Sequence, residues 1–174
     1  MAMTGIDFNA LSLMDALDLA ILVEDEAQER YEEFSEQMEQ HRTPEAAAFF
    51  RHMAGNEAKH GRELAARRTH MFQDAPRSVT RAMICDVEAP DYDAARAFMS
   101  PRRAMQAALA CELKARRFFE AALPGLKDPE VRALFQELRG EEIEHHALVL
   151  AELEKLPPES GLSDEDFVDP PAPM

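Results

Sequence analysis

Two glutamate–histidine pairs with identical spacing are the residues of this sequence best suited to metal chemistry. Glu57 precedes His60 by three residues in NEAKHG, and Glu142 precedes His145 by three residues in EEIEHH. Side chains three positions apart lie on one face of an α-helix, so each pair can reach a single metal ion. Carboxylate and imidazole ligands together suit iron or manganese, with zinc as a possible substitute. In a chain with 34 acidic residues these two pairs alone are weak evidence for a metal site. Whether they form one depends on where they lie on the predicted helices.

The composition favours an all-helical protein of one domain. The chain has 174 residues, enough to bury a core without disulfides or structural metals. Ala, Leu, Glu, Arg and Met are abundant, whereas glycine occurs six times and sustained runs of strand-forming residues are hard to find.

Start signals divide the chain into four predicted helices. Ser12, Thr43, Ser100 and Asp128 are the expected N-caps, and the last three are followed by proline. The helices end near residues 40, 71, 123 and 156. Residues 73–100 have no sustained period and are predicted to be a long connection, with a short helix around residues 93–98. Two hairpins joined by this connection predict a four-helix bundle with a crossover over residues 1–156. The acidic, proline-rich residues 157–174 are predicted to be a disordered tail.

The two predicted hairpins resemble each other. Glu24 in the first helix aligns with Glu112 in the third, and seven residues later Tyr31 aligns with Phe119. In the second and fourth helices a glycine, a glutamate and a histidine align at matching positions: Gly55, Glu57 and His60 with Gly140, Glu142 and His145. The repeat is weak in identity but consistent in position.

Each of the four helices carries one glutamate on its apolar stripe. Every one of these glutamates lies four residues after an apolar stripe residue, so all four are expected to enter the bundle core. Four buried carboxylates would repel one another and would cost several kcal/mol each if unpaired. Two divalent cations would neutralise them, with two neutral imidazoles completing the ligand set. The predicted metal ligands are Glu24, Glu57, His60, Glu112, Glu142 and His145.

The segments EDEAQERY, NEAKH, CELKARRFF and EEIEHH resemble the four helices of the ferritin-like superfamily, and most closely the rubrerythrin-like ferritins. The resemblance covers roughly residues 12–155 and implies a site for two iron ions. It implies Glu24 and Glu112 as terminal ligands, Glu57 and Glu142 as bridging ligands, and two histidine ligands. It also implies that Tyr31 supports a ligand glutamate from outside the metal's own shell.

Three departures limit what the resemblance implies. Rubrerythrins carry an additional glutamate three residues from the ligand on the third helix, but here the flanking positions hold Leu109 and Ala115. The sequence contains no paired CxxC motif of the kind that a rubredoxin module needs. Phe119 lacks the hydroxyl that Tyr31 offers, so the two metal positions are not expected to be equivalent.

Charge and hydropathy exclude several classes of partner. A formal net charge of −15 would repel nucleic acid. No apolar run reaches the roughly 18 residues of a membrane span, and the N-terminus does not resemble a signal peptide. Cys85 and Cys111 form no CxxC motif and are expected to be free thiols, Cys111 packing in the core. We therefore expect a cytoplasmic protein, without nucleic-acid or membrane partners.

The leading hypothesis is a non-haem di-iron protein that reacts with H₂O₂ or O₂, as a peroxidase or a ferroxidase in oxidative stress or iron handling. It would use Fe²⁺, depend on an external electron donor and form a homodimer. The alternative is a non-catalytic bundle that binds iron or a partner protein, and a bundle without metal is a third possibility. His41, His52, His70 and His146 are expected to lie outside the metal-ligand set.

Overall fold

A computed structural model of the chain describes residues 6–84 and 100–158. Four long helices are present: α1 spans Leu13–Gln40, α2 Pro44–Phe72, α3 Pro101–Ala122 and α4 Pro129–Lys155. Their ends agree with the predicted ones to within one or two residues. A 3₁₀ turn at Arg81–Met83, which the sequence did not predict, lies in the described part of the connection. The short helix predicted around residues 93–98, and residues 159–174 of the predicted tail, lie outside the described residues.

Three of the four predicted caps work through side-chain hydrogen bonds. Ser12, Ser100 and Asp128 each accept a hydrogen bond from a backbone N–H in the first turn of the helix that follows. This satisfies donors that the helix itself leaves unpaired. Thr43 occupies the predicted cap position, but its side chain makes no capping bond. Its hydroxyl instead donates to the carbonyl oxygen of Met38 at 2.9 Å, which fastens the end of α1 to the start of α2.

The helices pair as two hairpins, α1 with α2 and α3 with α4. Two apolar clusters fill the bundle. The first includes Leu17, Leu64, Phe119 and Phe135, and the second includes Phe34, Phe50, Met105 and Val149. Along every helix the predicted glutamate falls between the residues of the two clusters. The bundle therefore has a polar layer enclosed by apolar packing on both sides. Among the described helices, none combines the length and low charge content needed to cross a membrane.

A buried ion pair joins the first hairpin to the connection that follows it. Asp18 on α1 is fully buried, and Arg68 on α2 is 5% exposed. The guanidinium donates to both oxygens of Asp18, at 2.9 and 3.2 Å. It also donates to the carbonyl oxygens of Gln73 and Ala75, at 2.7 and 2.6 Å. Arg68 thus holds the first residues after α2 against the bundle, an arrangement that helical periodicity did not indicate.

Replacing Asp18 by alanine should lower the free energy of unfolding of the metal-free protein by about 3–5 kcal/mol, because Arg68 would keep its burial without its carboxylate partner. Urea denaturation followed by circular dichroism measures the change. Glu29→Ala removes the exposed ion pair with Arg81 and serves as the control, with an expected loss below about 1 kcal/mol. Equal losses of unfolding free energy in the two variants would show that the buried ion pair contributes no more to stability than the exposed one.

Candidate metal centre

Each helix places one glutamate in the polar layer. The side chains share nearly complete burial, and as residues Glu24, Glu57, Glu112 and Glu142 are 3%, 3%, 2% and 5% exposed. His145 is buried to the same degree, whereas the side chain of His60 is 18% exposed. The structure therefore brings all six predicted ligand residues into the same layer of the bundle. Their burial has the pattern expected from the apolar stripes.

The two glutamate–histidine pairs face each other across the bundle. The rings of His60 on α2 and His145 on α4 are stacked, with centroids 5.3 Å apart and planes 8° apart. His145 Nδ1 lies 3.0 Å from Oε1 of Glu57, so the histidine of one pair contacts the glutamate of the other. The two similar sequence stretches thus form two halves of one cluster.

The other two helices complete the cluster with carboxylates. His60 Nδ1 lies 3.9 Å from Oε2 of Glu24 on α1. His145 Nδ1 lies 3.7 Å from Oε2 of Glu112 on α3. The hydroxyl of Tyr31 on α1 donates a hydrogen bond to Oε1 of Glu112, so the tyrosine singled out in the sequence contacts one of the predicted ligands. A hydrogen bond of this kind orients the carboxylate and leaves its second oxygen available to a metal.

Among the described residues, three overlapping groups of side chains could hold a metal ion, and within each group the ligand atoms lie within 4.8 Å of one another. The groups are Glu57, His60 and His145; Glu112, Glu142 and His145; and Glu24, His60 and Glu141. Together they contain all six predicted ligands and one residue that the sequence analysis missed, Glu141. Its position four residues before His145, on the same face of α4, is the signal that could have identified it.

The donor atoms of the cluster fit a metal ion. His60 Nδ1 and Glu112 Oε2 are buried and have no hydrogen-bond partner among the described residues. Such atoms are rare in native structures, because an unpaired buried polar atom is costly. Burial and the charge of His145 lower the pKa of His60, so its imidazole is neutral at neutral pH. A bound cation would satisfy both atoms and offset the surrounding negative charge.

The acid–base properties of the cluster reflect its burial and its crowding. Burial raises the pKa of Glu112, and the charge of His145 opposes this effect. Burial lowers the pKa of His145, but a hydrogen bond to Glu57 and the neighbouring carboxylates raise it to about 9. Burial, followed by repulsion from Glu137, raises the pKa of Glu141 to about 7. In the metal-free protein His145 is therefore protonated at neutral pH, and metal binding must displace protons.

Comparisons with known proteins agree with this arrangement. The family model described as Rubrerythrin matches residues 15–90, which include most of α1 and all of α2. This stretch is therefore similar to the rubrerythrin domain of the ferritin-like superfamily. The crystal structure of an uncharacterized conserved protein from Magnetospirillum magnetotacticum MS-1 has the same architecture, with 29% identity and a TM-score of 0.72. The similarity covers 86% of this chain and 99% of that one. No curated protein matches the chain.

A rubrerythrin-type domain implies a di-iron carboxylate site, and the carboxylates and histidines among the described residues could bind metal. The remaining four histidines differ from His60 and His145 in burial or position. His52 and His70 are exposed, His41 ends α1, and His146 is half-buried beside His145. None of these four belongs to the metal-binding groups found in the described part of the chain.

The affinity of the metal-free protein for Mn²⁺ should rise with pH, because protons on His145 and Glu141 compete with the metal. Between pH 7 and 8 we expect about a tenfold gain per unit for each displaced proton, with a steeper dependence below pH 7. Calorimetry in two buffers of different ionisation enthalpy measures both the affinity and the released protons. The exposed His70→Asn variant should show the same slope, and an affinity independent of pH would contradict the assigned protonation.

Tyr31→Phe should weaken the binding of one of the two metal ions by about 10- to 100-fold, because Glu112 would lose the hydrogen bond that orients it. The ring would still stack on Phe50, with centroids 6.0 Å apart, so the packing is preserved. A two-site Mn²⁺ titration resolves the two affinities. An equal weakening of both ions would argue for a general structural effect instead.

Proposed function

We propose that this rubrerythrin-like protein binds two iron ions in the polar layer and uses them to react with H₂O₂ or O₂. The observation that carries the proposal is the convergence of four buried carboxylates, one from each helix, around two stacked histidines. This ligand set is the one found in di-iron carboxylate bundles. A structural ion pair would not require a pair of histidines at its centre.

The proposed division of ligands follows the observed groups. Glu24 lies with His60 and Glu112 lies with His145, which supports one terminal carboxylate for each ion. Glu57 shares a helix with His60 but contacts His145, which supports a bridging role between the two ions. Glu142 would bridge from the opposite side of the bundle, through the group that it forms with Glu112 and His145.

The residues around the ligands would control water and protons. The bound iron pair would supply two electrons, which reduce H₂O₂ to water with the uptake of two protons. The apolar clusters on either side of the layer limit the access of water to the ligands. Tyr31 holds a proton against Oε1 of Glu112, where it can be donated within the site. The proposal includes an external electron donor, a homodimeric assembly and a cytoplasmic location.

An anaerobic Fe²⁺ titration of the metal-free protein, followed by mixing with O₂ or with H₂O₂, tests the proposal. Saturation at about two ions per chain is expected, with faster oxidation by H₂O₂ for a peroxidase and by O₂ for a ferroxidase. Glu57→Ala and Glu142→Ala should each abolish the paired binding. Glu33→Ala, which removes an exposed carboxylate from α1, is the control and should bind iron normally.

The outcomes of this titration separate the alternatives. Bound Fe²⁺ that neither oxidant converts would favour a non-catalytic iron-binding protein. Failure of the folded protein to bind iron at all would overturn the proposed metal centre, whatever the function of the bundle.

A further inference from the structure

A seventh side chain, Glu141 on α4, points toward the pair formed by Glu24 and His60. Its Oε2 lies 3.9 Å from His60 Nδ1, the same distance that separates this nitrogen from Oε2 of Glu24. The ligand atoms of the three residues lie within 4.8 Å of one another. Two atoms bound to one ion at about 2.1 Å are about 3–4 Å apart, so small side-chain movements would let all three reach the same ion.

The internal repeat does not account for this carboxylate. Gly55 and Gly140 align, so the position on α2 that corresponds to Glu141 is occupied by Asn56. Of the two aligned helices, only α4 therefore has a glutamate at this position, directly before Glu142. Adjacent side chains on a helix project about 100° apart, and here they serve different groups. Glu142 lies with the buried His145, whereas Glu141 lies with the partly exposed His60.

We propose that Glu141 is an additional ligand of the metal ion held by Glu24 and His60, and that this ion consequently has a carboxylate which the other ion lacks. The inference rests on the proposed metal centre, but its failure would leave that centre intact. A metal ion between them would explain why the half-buried carboxylate of Glu141 lies near His60 Nδ1, a nitrogen that has no hydrogen-bond partner among the described residues.

The surroundings of Glu141 place it on the solvent side of the pair formed by Glu24 and His60. A cavity of about 90 Å³ is lined by His60, Glu63, Arg67, Glu137 and Glu141, together with two leucines. The side chain of Glu141 is 28% exposed, compared with 4% for Glu24. Glu141 would therefore bind the ion from the side on which the cavity reaches His60. His145 and Glu112, which would hold the other ion, are more deeply buried, and the hydroxyl of Tyr31 donates a hydrogen bond to Glu112.

Glu141→Gln in the full chain tests the inference, because the amide keeps the size of the side chain and removes its charge. The metal-free wild type and the variant are titrated with Co²⁺, and calorimetry and visible absorption follow the two ions separately. We expect the variant to bind one ion as tightly as the wild type and the other at least about tenfold more weakly. The absorption spectrum should change for the weakened ion alone, because its ligand set has changed.

Glu137→Gln is the matched control. It removes an exposed carboxylate that lines the same cavity but belongs to none of the metal-binding groups found in the described residues. Its effect on both affinities should stay within about threefold, as expected for a screened charge. Equal effects of the two substitutions would show that Glu141 acts only through its charge and would overturn the ligand assignment. Two unchanged affinities in Glu141→Gln would also overturn it, whereas a wild type without metal binding would overturn the metal centre itself.

Discussion

Four carboxylates are buried between two apolar clusters, and the cost of burying their charges is the main electrostatic constraint on this bundle. Removing a carboxylate from water costs several kcal/mol unless partners replace the lost hydration. The bundle places one such group on each helix at the same level, so the repulsion between them is concentrated in one layer. A helical bundle stabilised by packing alone would carry apolar side chains at these positions. A layer of this kind is instead explained as a site that binds cations, because bound cations would offset the repulsion between the carboxylates.

A comparison with Asp18 makes the distinction clear. Asp18 is equally buried, but Arg68 donates two hydrogen bonds to it and Arg77 Nε lies 3.2 Å from its Oδ1, so its charge is neutralised within the protein. Glu57 and Glu112 are instead placed against His145, a side chain that can either carry a proton or bind a metal. The first arrangement fastens the chain, whereas the second can exchange protons for metal ions.

The two halves of the bundle differ around the proposed metal positions. Tyr31 supports Glu112, but the aligned residue Phe119 has no hydroxyl to offer Glu24. Glu141 adds a carboxylate beside Glu24 and His60, whereas the aligned residue on α2 is Asn56, which has no carboxylate. One position is therefore buried and supported by tyrosine, and the other is partly exposed beside an additional carboxylate. Such unequal positions would let two ions of the same element differ in affinity and accessibility.

The four helices, their ends and the residues that enter the core could be predicted from the sequence, because these features follow from local signals. Caps and prolines mark helix starts, and a period of 3.6 residues assigns each side chain to a face. The same reasoning placed Glu24, Glu57, Glu112 and Glu142 in the core layer, where the structure has them.

The contacts between side chains of different helices could not be predicted in this way. The pairing of Asp18 with Arg68, the choice of Glu112 as the partner of Tyr31 and the approach of Glu141 to His60 depend on how the helices are rotated and packed. Periodicity along a single helix contains no information about that relative placement. For this reason the sequence identified the layer and its six predicted ligands, but not the contacts that make its two halves unequal.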